Sequence, residues 1–225
     1  MVGTDTGVGK TTFTRGLLRA LCRKGRSPVP YKPVETGFVD PTRSDANALR
    51  SAARSSLALS AVCPFPFLEP LAPVVASQFQ GISLSVDALY NAKPQQHGEP
   101  LVVESAGGLL SPISQQKTNA DFASLFAFPI VLVARNSLGT INHCALALSE
   151  LQRRKLPLAA LVLVDVAAAT LDGSTNAKCI ADLTGVVAAT TLPFDPTASD
   201  DQLAEHLEAA PEIVALLNSL STDRR

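Results

Sequence analysis

Short runs of Val, Ile, Leu and Ala recur along the chain, separated by stretches in which apolar residues return every three to five positions. The runs fall near SPVPYKPVE (27–35) and at LVVE (101–104), PIVLVA (129–134), LAALVLV (158–164) and GVVAAT (185–190). Short continuous apolar runs suit strands buried on both faces, so each predicts a parallel strand. In the first intervening stretch Phe13, Leu17, Leu18, Leu21 and Cys22 follow a helical spacing while Arg15, Arg19 and Arg23 fall elsewhere, as in a helix that buries one face. Strand and helix alternating in this way predict a doubly wound, mostly parallel α/β sheet flanked by helices. The segment CPFPFLEPLAP (63–73) reads as an ordered proline-rich loop. A helix over about 200–220 is expected to break near Pro211 and to give way to a frayed tail over 221–225.

Composition narrows the partners. The 225 residues suit one domain spanning 1–225, and 46% hydrophobic against 17% charged residues supplies a core and excludes a disordered chain. A net charge of -1 without a basic run excludes the electrostatic footprint of a nucleic-acid or anionic-membrane binder, leaving a small-molecule partner. No apolar stretch approaches the roughly 18–20 residues of a membrane span, and MVGTDTG carries no signal pattern, so a soluble cytoplasmic protein is expected. Cys22, Cys63, Cys144 and Cys179 form no CxxC pair and are expected to be buried free thiols. His97, His143 and His206 are too scattered to suggest a metal site.

The chemistry is concentrated where strands should end, which is where open parallel sheets bind ligands. GTDTGVGKTT (3–12) supplies glycines, one lysine and a hydroxyl ahead of the first helix. Glycines let backbone N–H groups converge on phosphate oxygens, Lys10 can reach the outer phosphates, and the Thr11 hydroxyl can ligate magnesium. Counted from Gly3 the spacing is GxxxxxGKT, a variant phosphate loop. Only Met1 and Val2 precede Gly3, so the first strand is largely absent. Either the recorded start lies downstream of the true one, or the sheet is weak where the loop needs support.

Magnesium on a triphosphate needs one or two carboxylates besides the loop hydroxyl. Glu104 ends a strand and is followed by SAGG; Asp45, in RSDANAL, serves equally well as a ligand or as a helix cap. Lys32, in YKPVETG, stands at a strand end where a second cation can stabilise a transferring phosphoryl group.

Together GTDTGVGKT (3–11), YKPVETG (31–37), SDA (44–46), EPLAP (69–73), VVESAGG (102–108) and LGTINH (138–143) resemble, in order, the dethiobiotin synthetase family of P-loop NTPase fold. The resemblance extends to about Pro193. It implies a magnesium-dependent ligase that uses ATP and CO2 or bicarbonate to close a ureido ring on 7,8-diaminononanoate (7,8-diaminopelargonate), giving dethiobiotin, ADP and phosphate in biotin biosynthesis. It further implies catalytic roles for Lys32 and Lys10, and Thr11, Asp45 and Glu104 as metal ligands. The nucleotide would lie on Gly7, Val8, Gly9, Lys10, Thr11, Thr12, Asp45, Glu104, Ser105, Ala106 and Gly107, with Val164, Asp165, Pro193, Phe194 and Asp195 near the nucleoside. The diamine would meet Thr36 and Lys32, completed by Leu138, Gly139 and Asn142 across a homodimer. Two residues depart from the family pattern. Val164 replaces an asparagine, which leaves base preference open, and Ser105 replaces a glycine, which is strained if that position requires positive φ. The alternatives are an ATPase or amide ligase of the partitioning or cobyrinate-amidase kind, and a silent nucleotide-binding paralogue.

Overall fold

A computed structural model describes residues 1–166, 171–193 and 195–221. In chain order the elements are β1 (Val2–Gly3), α1 (Lys10–Arg23), β2 (Val29–Tyr31), β3 (Val34–Thr36), α2 (Asp45–Ala52), α3 (Leu59–Val62) and β4 (Phe65–Phe67). There follow α4 (Pro73–Phe79), α5 (Val86–Asn91), β5 (Leu101–Val103), β6 (Pro112–Ser114), β7 (Lys117–Thr118), α6 (Asn119–Ser124), β8 (Ile130–Asn136) and α7 (Thr140–Arg153). The chain continues through β9 (Leu158–Asp165), α8 (Leu171–Thr184), β10 (Ala188–Leu192), α9 (Asp200–Glu208) and α10 (Pro211–Ser221).

Parallel pairing gives the order β1-β8-β9-β10, and β2 pairs with β5. Ser105 N–H donates to Met1 O at 3.0 Å, which sets β5 beside β1. The central strands show why their sequences are apolar throughout. Val131 and Val133 of β8, with Ala160, Val162 and Val164 of β9, enter one core with α1, α9 and α10; Leu132, Ala134, Leu161 and Leu163 enter a second with α7 and α8. Successive side chains face opposite layers, both of them apolar.

Several expectations change. The apolar run at 27–35 is two strands, β2 and β3, separated by Lys32 and Pro33. The segment 63–73 contains β4, paired in parallel with β3, so it is partly a strand and not only a loop. The last strand starts three residues later than the apolar run at 185, because Gly185 (φ 73) sits in the turn after α8. The helix break near Pro211 separates α9 from α10; Ser221 closes α10, and 222–225 lie outside the described residues. Cys63 and Cys144 are buried, but Cys22 is half-buried and Cys179 exposed. No helix among the described residues is long and apolar enough to cross a membrane.

The arginines of α1 face another helix. Arg15 pairs with Asp200 at 2.7 Å, Arg19 with Asp200 and Asp201 at 3.6 Å, and Arg23 with Glu205 at 3.1 Å. Between them Gly16 lets α9 close in: a Cβ there would stand 2.9 Å from Leu207 Cδ1 and 3.0 Å from Leu203 Cβ. The helix carrying the phosphate-loop lysine is thus clamped by α9.

Candidate active site

The phosphate loop leaves β1 at Gly3 and enters α1 through Gly9, whose φ of 93 makes it the left-handed cap. A Cβ at Gly9 would lie 2.7 Å from Val164 Cγ1, so backbone conformation and contact both demand glycine. Lys10 folds back, its Nζ donating to Asp5 O at 2.8 Å; at Gly3 a Cβ would come within 2.8 Å of that amine. Burial of Lys10 pulls its pKa down to about 8, with Glu104 opposing the fall and Lys32 adding to it. Beside the loop, SAGG is held by Leu109 N–H donating to Gly3 O at 2.8 Å, and Asn119 Nδ2 donates to Ala106 O (2.6 Å) and Gly108 O (2.8 Å).

The two strand-end groups meet under this loop. Glu104 is fully buried, and its Oε1 accepts from Thr11 Oγ1 at 2.8 Å and from Lys32 Nζ at 2.7 Å. The same ammonium lies 3.1 Å from Asp45 Oδ2. Burial alone would lower the Lys32 pKa, but Glu104 and Asp45 outweigh it and hold the amine protonated above its ordinary range. Glu104 Oε2 is buried and has no hydrogen-bond partner. A buried carboxylate with one uncommitted oxygen is an acceptor awaiting a cation or donor. Together with the adjacent hydroxyl and the half-exposed Asp45 it forms an oxygen donor set suited to a hard divalent ion.

Asp45 is not the cap of α2. Ser44 Oγ accepts from Asn47 N at 3.1 Å, while the buried Glu35 carboxylate accepts from Asp45 N at 2.8 Å and Ala46 N at 2.9 Å. The first-turn N–H groups are therefore satisfied without the Asp45 side chain, which is left to face Lys32. Burial pushes the Glu35 carboxyl up, against the pull of the Ala46 N–H and of Lys32. Sequence reading missed Glu35; the signal was a carboxylate on a buried strand, which needs partners.

The remaining candidates divide. Gly7 (φ 67), Val8 and Thr12 belong to the loop and the start of α1, and Ser105, Ala106 and Gly107 follow Glu104. Ser105 is not in positive φ; Gly107 is, at 81, so the substitution at 105 carries no backbone strain. Val164 is buried against Gly9 as packing under the loop. Asp165 accepts from Asn136 Nδ2 at 2.7 Å, and Asn136 Oδ1 accepts from Asn176 Nδ2 at 3.0 Å, an amide chain that sequence reading did not identify. Pro193 is exposed; Asp195 caps its own turn, accepting from Thr197 N and Oγ1 at 2.9 and 2.7 Å; Phe194 lies outside the described residues. Thr36 ends β3, half-buried. Leu138, Gly139 and Asn142 are exposed at the start of α7, and no hydrogen bond or ion pair among the described residues joins them to Lys10, Lys32 or Glu104.

Residues 1–202 match a family model described as an AAA domain. The ATP-dependent dethiobiotin synthetase BioD of Anaeromyxobacter dehalogenans (strain 2CP-C) is 42% identical over 166 residues, covering 72% of this chain and 74% of its own. That of Haloferax mediterranei is 34% identical over 226 residues, covering 99% and 95%, and that of Yersinia pestis bv. Antiqua (strain Angola) is 36% identical, covering 89% and 85%. A ParA family ATPase from Chlorobium tepidum TLS superposes with a TM-score of 0.54 at 11% identity over 98% of this chain and 96% of its own, a likeness of fold alone.

Proposed function

The chain belongs to the ATP-dependent dethiobiotin synthetase family, and from that premise we propose that it closes the ureido ring of dethiobiotin on 7,8-diaminononanoate with CO2 and ATP. The observation that carries the reading is the buried Glu104–Lys32 pair joined by the half-buried Thr11, with Asp45 at its edge, beneath a phosphate loop whose Lys10 donates to a backbone carbonyl.

In this reading one substrate amine adds to CO2 and loses a proton, giving a carbamate. A carbamate oxygen then takes the γ-phosphoryl group of ATP, and ADP departs. The second amine attacks the carbon of the mixed anhydride, phosphate leaves, and a second proton is lost as the ring closes. Lys10 exchanges Asp5 O for the outer phosphate oxygens. Lys32, held protonated by its two carboxylates, presents a fixed positive charge to the transferring group at no reorganisation cost. Thr11, Glu104 and Asp45 would hold magnesium, which supplies charge neutralisation on the phosphates when bound. Thr36 and Lys32 orient the diamine.

The functional unit in this proposal is a cytoplasmic homodimer in which Leu138, Gly139 and Asn142 complete the diamine site of the other copy. Leu138 is 90% and Leu146 64% exposed on the surface that would be covered. Light scattering is expected to give twice the chain mass of 23.5 kDa.

The reaction is tested by mass spectrometry of purified protein with diaminononanoate, bicarbonate and magnesium, in parallel with ATP, CTP and GTP. Dethiobiotin is expected with ATP, and comparison of the three nucleotides reads the consequence of Val164. Nucleotide hydrolysis indifferent to the diamine would move the protein to the ATPase alternative, and nucleotide binding without turnover to the silent one.

A further inference from the structure

A carboxylate on a short buried strand needs a reason, because an ionised side chain taken out of water is costly unless donors replace its hydration. Glu35 is such a residue, 9% exposed in the middle of β3 between Val34 and Thr36. Alternation along the strand turns Val34 into the apolar cluster of Tyr31, Phe67 and Leu89 and turns Glu35 the other way, toward the start of α2. There its two oxygens are divided. Oε1 accepts from Asp45 N at 2.8 Å and Oε2 from Ala46 N at 2.9 Å.

Helix α2 does not need this carboxylate as its cap. Ser44 Oγ accepts from Asn47 N and Ser44 O accepts from Ala48 N, both at 3.1 Å, so the third and fourth N–H groups of the first turn are satisfied by the cap residue. The first N–H belongs to Asp45, whose side chain is 48% exposed, and at an open helix end water satisfies such groups. What Glu35 adds is position. Two bonds from one rigid group to consecutive N–H groups fix both the rise and the rotation of the first turn relative to β3, which water does not. Strand β3 is itself held by parallel pairing with β4, Glu35 lying opposite Pro66.

The residue fixed in this way is Asp45. Its N–H is one of the two that Glu35 holds, and its Oδ2 stands 3.1 Å from Lys32 Nζ, which lies 2.7 Å from Glu104 Oε1. Glu104 is fully buried at a strand end, so packing places it; Asp45 is half-exposed on a separate eight-residue helix, so packing places it less well. We infer that Glu35 is a positioning residue for Asp45, setting the first turn of α2 so that the Asp45 carboxylate stays beside Lys32 and converges with Glu104 and Thr11 on one cation. The inference rests on the metal-ligand role that the proposed function gives Asp45. Both Glu35 oxygens are committed to the backbone, so it acts through residue 45. Thr36, the next residue, is placed on the diamine in the same reading, and β3 therefore ties the metal side of the site to the substrate side.

Manganese is the probe, with free ion counted by electron paramagnetic resonance in titrations of the full chain with ADP; ADP affinity is measured separately in EDTA. The parent is compared with Glu35→Gln, Asp45→Asn and the double variant. Glu35→Gln keeps one carbonyl oxygen but turns an NH2 group toward the second N–H. It is expected to weaken manganese binding at least about tenfold, the scale on which partners of ligating groups act, and Asp45→Asn at least as much. The double variant should match Asp45→Asn to within about twofold, because nothing is left to position. ADP affinity of Glu35→Gln in EDTA should equal that of the parent. Glu35→Asp keeps the charge but shortens the reach; it should show the same selective loss, and it carries the test if the Gln chain does not fold. Parental manganese affinity in both Glu35 variants, beside a weakened Asp45→Asn, overturns the inference and leaves the metal reading standing. A further loss of similar size when Glu35→Gln is added to Asp45→Asn also overturns it, as does an equal loss of metal-free ADP binding, since either makes Glu35 a support of the fold alone. Parental affinity in Asp45→Asn removes Asp45 from the metal, and the inference falls with that assignment.

Discussion

Lys32 and Glu104 lie 72 positions apart in sequence and meet at 2.7 Å, with 4% and 0% of their surfaces exposed. Neither charge reaches bulk water, so each is tolerated because of the other.

Replacing Glu104 by Gln leaves the Lys32 ammonium with Asp45 as its remaining ion-pair partner among the described residues. The expected loss is about 3 kcal/mol of unfolding free energy, the cost of breaking a buried ion pair. Dethiobiotin formation should fall to background in the same variant. Denaturant titration separates the effects, because Lys32→Met with Glu104→Leu should recover most of the stability and none of the activity. A Glu104→Gln protein as stable and active as the parent would remove the pair from both roles.

Gly9→Ala adds a methyl 2.7 Å from Val164 Cγ1 at a φ of 93. A nucleotide Kd raised at least about tenfold is expected, equivalent to about 1.4 kcal/mol. Gly9→Ala with Val164→Ala relieves the contact but not the backbone, and should recover part of the loss. Full recovery would show that the left-handed conformation is not required.

The two sides of the α1–α9 clamp should respond unequally. Arg19 is buried with Nε and Nη1 lacking hydrogen bonds, so Arg19→Met removes a poorly satisfied charge and should change stability by less than about 1 kcal/mol. Asp200→Ala removes a carboxylate shared by Arg15 and Arg19 and should cost about 3 kcal/mol. Equal losses in thermal or denaturant melts would contradict the asymmetry.

Asp121 closes the capping box of α6, accepting from Thr118 N at 2.8 Å and Thr118 Oγ1 at 2.7 Å, and meets Arg154 at 3.0 Å. Burial works against the charge, but these partners hold its pKa at about 2. A carboxyl depressed on folding contributes stability fully above its unfolded value near 3.8 and loses it as pH falls toward 2. Asp121→Asn should therefore cost about 1 kcal/mol at pH 6, through the lost cap, and the difference from the parent should shrink between pH 4 and pH 2. A difference that stays constant with pH would exclude the carboxylate as its source.

What the sequence disclosed and what it hid follow a physical division. The phosphate loop, the strand-end Glu104 and Lys32, and the central β8 and β9 were legible because each is written in consecutive residues: glycines beside one lysine, or an apolar run. The split of 27–35 into β2 and β3 was not, since Lys32 and Pro33 look like a strand end and only pairing with β5 and β4 reveals two strands. Glu35 was missed for the same reason, because its partners are backbone N–H groups ten and eleven residues away. That α9 covers the arginines of α1 was not legible either, since periodicity separates polar from apolar sides but does not say whether another helix covers the polar one.

The clamp of α9 on α1 also has a consequence in time. Synthesis proceeds from the N-terminus, so Lys10 and Thr11 leave the ribosome long before Leu203 and Leu207. The core that steadies α1 comes from β8, β9, α9 and α10, all made later. The nucleotide loop is thus among the first parts of the molecule to be translated and among the last to acquire its working shape, and a nascent chain stopped before α9 carries the whole motif without the support that fixes it.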